Sequence, residues 1–172
     1  VEELFYEGIE EPGHLVILAY DDFVDAVQPL ADWKLQKGIP TEVFSLSEVG
    51  ATTSDIQSFL QSKYDTGELT YVILVGDDAQ IPTLYGSTGA GSDPSYVMLD
   101  GSDYYPDAFI SRISANSASE VSDQVAKFLA YEIEPPAGEW FSKGTGVASN
   151  QGSPTDAERA EWLRDMLLDY NY

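Results

Sequence analysis

Thr70-Tyr71-Val72-Ile73-Leu74-Val75-Gly76-Asp77 is the stretch on which the fold turns. Tyr71–Val75 has strand length, is rich in β-branched residues, and offers no polar position for a solvated face. A strand with that pattern is covered on both sides, as in parallel sheets sandwiched between helices. The stretch closes on Gly76 and then on the carboxylate of Asp77.

The same grammar repeats outward from it. His14-Leu15-Val16-Ile17-Leu18-Ala19-Tyr20 is a second continuous apolar run, and Thr41–Leu46 and Ala108–Ser114 read as further strands. Between them lie helical periodicities. After the first run, Asp21 or Asp22 is a candidate cap, Val24, Val27, Ala31 and Leu35 form a stripe, and Gly38 stands at the C-cap position. A helix near 54–65 carries Ile56, Phe59, Leu60 and Tyr64 on one face. Ser117-Ala118-Ser119-Glu120 reads as a capping box opening a helix with Val121, Val125, Phe128 and Leu129 inward. Strands alternating with amphipathic helices predict an α/β fold, a mainly parallel sheet with helices on both faces. Pro135-Pro136 is the strongest boundary signal; beyond it a strand (Gly146–Ser149) and a helix of about 156–168, boxed by Thr155 and Glu158, are expected.

A turn-rich acidic loop, Asp100-Gly101-Ser102-Asp103-Tyr104-Tyr105-Pro106-Asp107, precedes the strand at 108. Hard cations such as calcium take six to eight oxygen ligands from carboxylates and backbone carbonyls on a bent backbone. The spacing is not that of an EF-hand. Asp, Gly, Ser and Pro also serve turns for backbone reasons alone, and the residues by themselves leave both readings open.

Composition excludes several classes. Eight basic residues against thirty acidic ones, a formal charge of −22, oppose binding to nucleic acid or to anionic membranes. No run approaches a membrane span. Val1-Glu2-Glu3 is acidic where a signal peptide begins basic, so a secreted parent would carry its signal upstream. With no cysteine there is neither a disulfide framework nor a thiolate nucleophile, and His14 is the sole imidazole. There is no G-x-S-x-G elbow, and the glycines at 86, 89 and 91 lead into no phosphate loop. Residues 1–172 alone are expected not to hydrolyse peptides.

The segments L-T-Y-V-I-L-V-G-D at 69–77, S-D-P-S-Y at 92–96 and D-G-S-D-Y-Y-P-D-A-F-I-S-R at 100–112 together resemble the gingipain family of cysteine endopeptidases, peptidase family C25. A-D-W-K-L-Q-K-G at 31–38, A-K-F-L-A-Y-E at 126–132 and W-F-S-K-G-T-G-V-A-S at 140–149 extend the resemblance. It implies a first α/β subdomain over residues 1–137 and, over 144–172, the opening strand and helix of a caspase-like second subdomain. The Cys and His of the parent would then lie beyond Tyr172. With the acidic spacing, it implies a calcium site with Asp77, Asp103 and Asp107 as side-chain ligands and carbonyls from Asp100 and Tyr105. Gln151 falls where the family has an acid that orients the catalytic histidine; an amide accepts the imidazole N–H but supplies no charge. Asp156 aligns with the aspartate of the primary specificity pocket, although an Asp in a helix's first turn is also ordinary dipole chemistry. The implied protein is a secreted or cell-surface, calcium-stabilised peptidase acting on peptides or proteins through its missing carboxy-terminal catalytic segment. A non-catalytic gingipain-like binding or secretion module, or an unrelated acidic calcium-binding domain, is the rival expectation.

Overall fold

The computed structural model of the chain describes residues 13–86 and 89–170. Four strands, β1 (Leu15–Ala19), β2 (Thr41–Ser45), β3 (Tyr71–Val75) and β4 (Phe109–Ile113), form one sheet in the order β2-β1-β3-β4. Every pairing is parallel. The helices are α1 (Val24–Gln36), α2 (Leu46–Val49), α3 (Thr53–Asp65), α4 (Ala118–Ile133) and α5 (Asp156–Asp169).

Side-chain alternation along β1 explains why its sequence is apolar throughout. Leu15, Ile17 and Ala19 join Phe23, Val27, Leu30 and Ala31, together with Val121 and Val125 of α4, in one core. Val16 and Leu18 face the opposite way, into a second core with Ile56 and Leu60 of α3 and with Ile81, Tyr96 and Val97. Successive strand residues point to opposite faces, so a strand buried on both faces has no polar position to spare.

Local signals acted largely as expected, with instructive departures. Gly38, at φ +84°, ends α1, and the chain closes with Gly38 N–H to Leu35 O and Ile39 N–H to Lys34 O. Neither Asp21 nor Asp22 caps α1; both lie in a 3₁₀ turn, Asp21–Phe23, that precedes it. Leu35 is half exposed, because the buried stripe runs through Val27, Leu30 and Ala31. Ser117 Oγ accepts the Glu120 N–H at 3.3 Å, but the Glu120 carboxylate takes the N–H of Asn116 rather than that of Ser117. The box is therefore half closed. Residues ahead of the acidic loop form a 3₁₀ turn, Asp93–Val97.

The chain divides into two compact units, one ending at Glu134 and one beginning at Pro135. In the second, Thr155 and Glu158 close a full capping box on α5. Residues 146–149 form no hydrogen-bonded strand, and Val147 is 93 % exposed. An extended segment becomes a strand only with a neighbour to bond to, and the described part of this unit offers none.

Candidate functional site

The acidic groups expected to share one ion stand at two ends of the sheet. Asp77 follows β3, with its N–H on Ala115 O, beyond the far end of β4. Asp107 precedes β4, with its N–H on Val97 O. Tyr71 is level with Phe109 and Val75 with Ile113. From Asp107 to the level of Asp77 the chain therefore runs the whole length of β4, roughly 25 Å at about 3.3 Å per residue. Calcium–oxygen distances are about 2.3–2.6 Å. Asp77 is thus not a ligand of the same ion as the loop, which corrects the five-residue set.

Asp77 has other partners. Ser114 Oγ donates to its Oδ1 at 2.9 Å and Asn116 Nδ2 reaches Oδ2 at 3.5 Å. The Ser114 bond, followed by the Asp78 N–H, holds its carboxyl below the usual range. It closes the carboxyl end of β3 against the chain leaving β4.

The remaining four residues do share the loop. Asp107 Oδ2 accepts the N–H groups of Leu99 at 2.6 Å and Asp100 at 2.9 Å, which lower its pKa, the Asp100 bond most. Asp103 Oδ1 accepts the Tyr105 N–H at 2.9 Å. Each carboxylate keeps one oxygen outside these bonds. Gly101, at φ +72°, supplies the left-handed turn that bends the loop. Among the described residues, no three His, Cys, Asp or Glu side chains converge as a metal group. In donor chemistry the loop suits a hard cation: two half-free carboxylates, with the carbonyls of Asp100 and Tyr105 on the same bend. Its carboxylates serve at present to hold the bend through backbone amides.

In the second unit the two other candidates are neighbours. Gln151 O accepts the Asp156 N–H at 2.9 Å, and Gln151 N–H points to Ser149 Oγ at 3.3 Å. Ser149 Oγ donates to Asp156 Oδ2, while Arg159 approaches Asp156 Oδ1 at 3.7 Å. Asp156 is only partly exposed and already has two partners at the start of α5. His14 precedes β1; its carbonyl accepts the N–H groups of Thr70 and Tyr71 and so aligns β3.

Sequence reasoning missed the most heavily bonded side chain of the first unit. Arg112 Nε and Nη2 grip Asp93 at 2.8 and 2.7 Å, Nη1 serves the carbonyls of Gly76 and Ile81 at 2.9 Å each, and Nη2 also reaches Thr83 Oγ1 at 3.3 Å. The Asp93 pair is bidentate, the strong geometry for a guanidinium. The signal was a single charge inside the apolar strand Phe109-Ile110-Ser111-Arg112-Ile113, which demands a nearby acid. Arg112 pins the loop after β3 to β4.

Comparison with known proteins places this architecture. The family model for peptidase family C25 matches residues 9–171. Gingipain R2 of Porphyromonas gingivalis is 28 % identical over 97 % of this chain, which spans 24 % of that relative. Lys-gingipain of the same species is 33 % identical over 70 % of this chain and 7 % of its own length. The crystal structure of the Arg-specific cysteine proteinase gingipain R superposes with a TM-score of 0.80 at 26 % identity, covering 95 % of this chain and 40 % of that one. The chain thus spans about a quarter of gingipain R2, and, with the family model matched from residue 9 to residue 171, it belongs to peptidase family C25.

Proposed function

We propose that this chain is the amino-terminal portion of a secreted, calcium-stabilised cysteine endopeptidase of gingipain type, whose nucleophile and imidazole base lie elsewhere in the parent. One observation carries the reading: the family match runs from residue 9 to 171, yet the sequence contains no cysteine. A peptidase of this family needs a thiolate with a histidine in reach, and His14 alone does not make that pair. Residues 1–137 would be scaffold and 144–172 the start of a caspase-like subdomain, with Asp156 lining a pocket for a basic side chain. Among the described residues no helix is long and apolar enough to cross a membrane.

A thiol-directed active-site probe tests this. It should label the parent protein at one cysteine and abolish its peptide hydrolysis, and should leave 1–172 unlabelled and inactive. A parent that hydrolyses peptides with no labelled cysteine overturns the reading. Gln151, at the place of the family's histidine-orienting acid, favours a second reading, a non-catalytic gingipain-like module. A parent without any reactive cysteine and without hydrolysis selects it.

Calcium, if held, is held by the 100–107 loop: Asp103 and Asp107 through carboxylates, Asp100 and Tyr105 through carbonyls, with water completing the shell. The ion would neutralise carboxylates that otherwise repel one another. Calorimetry with calcium and then with chelator should show a higher melting temperature in calcium, abolished by Asp103→Asn. Identical curves remove the site.

A further inference from the structure

We infer that the outer edge of β4 is a docking site for an extended, basic peptide segment, seated by strand addition with a Lys or Arg side chain in the cleft beside Phe109. β4 is the last strand of the sheet. Phe109 N–H bonds Thr70 O, and Ile113 O accepts Gly76 N–H. Odd-numbered residues of β4 therefore pair inward, and the backbone groups of Ile110 and Arg112 point away from β3. Among the described residues no backbone partner meets them.

Exposed edges are usually blunted by an outward charge, a proline or a bulge. This one has none. The only charge on β4, Arg112, is turned away into Asp93, Gly76 and Ile81 and leaves the edge unguarded. Phe109 is 72 % exposed and stacks on Tyr71 with ring centroids 5.6 Å apart. A cleft of about 340 Å³ opens beside it, lined by Pro94, Pro106, Ala108, Phe109, Ile110 and the acidic residue Asp107.

Charge decides the occupant. A second copy would bring another −22 against this one, and edge-to-edge pairing of like acidic chains is opposed by that repulsion. A basic segment is attracted instead. The cleft suits a long cationic side chain in detail: its aliphatic stem lies on proline and phenylalanine while its head meets Asp107. Main-chain bonds to Ile110 and Arg112 supply the register, as in other strand-addition complexes.

The test uses ¹⁵N-labelled 1–172 at low salt in chelator, titrated with an extended Lys/Arg-containing hexapeptide and with its Glu-substituted counterpart. The basic peptide should shift and protect the amides of Ile110 and Arg112. Binding should weaken at least tenfold in 0.5 M salt and in Phe109→Ser, and Ile110→Pro, which deletes an outward N–H, should abolish it. Should Ile110→Pro fail to fold, the exposed Phe109→Ser carries the test. Equal binding of the acidic peptide, shifts confined to other strands, or self-association of the free chain through the β4 amides overturns the inference. Calcium added afterwards separates this inference from the calcium reading. Competition for Asp107 reduces peptide affinity if the loop takes the ion, and unchanged affinity counts against the loop's ion and not against the edge.

Discussion

The unit ending at Glu134 and the unit from Pro135 obey the same local rules and reach opposite degrees of burial. Both contain a capped amphipathic helix: Ser117 caps α4 and Thr155 caps α5. Among the described residues the core nevertheless lies wholly between Leu15 and Val125, and α5 buries none of its side chains. Trp162, Leu163, Met166 and Leu168 are all more than half exposed. Helix signals in sequence are local, whereas burial needs a partner surface, and helices gain most of their stability in proteins from packing an apolar face. The first unit encloses its sheet between two cores; the second has nothing of the kind within its described residues.

The largest test of that contrast truncates one leucine in each unit. Leu74→Ala empties a fully buried site in β3 and should cost about 4 kcal/mol in urea denaturation. Leu163→Ala on exposed α5 should stay within about 0.5 kcal/mol. Comparable losses would mean that α5 is packed as firmly as the sheet. Next is Arg112→Ala, which strands Asp93 and two carbonyls; its side chain is only 11 % exposed and that of Asp93 21 %. A loss of about 3 kcal/mol is expected. Arg112→Lys should rescue little, since an ammonium lacks the bidentate fork.

A third test uses pH. Glu132 of α4 accepts Trp33 Nε1 at 2.8 Å, Lys34 Nζ at 2.6 Å and Lys37 Nζ at 2.9 Å, joining α4 to α1. Burial by itself raises its pKa, but the bonds from Lys34, Lys37 and Trp33 outweigh it and bring the group down from 4.5 to about 2. The folded value lies below the unfolded one. Its stabilisation is therefore complete above about pH 4.5 and is lost as pH falls through about 2. Glu132→Gln should cost about 1.5 kcal/mol at neutral pH and flatten that acid limb relative to the parent chain. An unchanged limb would show that α1 and α4 are held by packing alone. The smallest effect separates the caps. Ser117→Ala should lower global stability by about 1 kcal/mol, whereas Thr155→Ala should speed amide exchange within α5 and leave global unfolding unaltered.

Much of the fold was legible in the residues. Tyr71–Val75 was readable to the residue, because a strand that contributes to cores on both faces needs an unbroken apolar run and Gly76 marks its end, although Tyr71 itself is 41 % exposed. α5 was readable from its capping box, whose donors and acceptors lie three residues apart in one local turn, and α3 from its apolar face of Ile56, Phe59, Leu60 and Tyr64, whereas the Thr52–Asp55 box that opens it went unread. The boundary of α1 was less so. Asp21 and Asp22 are good caps by type, but the chain leaves β1 through a 3₁₀ turn and their side chains never reach the first amides of α1. Of the candidate site, the 100–107 loop was visible as a bend of turn residues, while the lone charge of Arg112 in an apolar strand signalled the need for an acid without showing that it is Asp93, nineteen positions away.

By itself the sequence determined the parallel α/β class, through short periodicities, and the lack of a cysteine within these residues, while its quoted segments carried the resemblance to the family. The tertiary structure alone decided which carboxylates can act together. Asp77 ends one strand and Asp107 introduces the next. In a parallel pair the connection must return along the whole length of the strands before the second one begins. The residues at the two ends of such a connection are thus carried to opposite ends of the strands, however acidic both are.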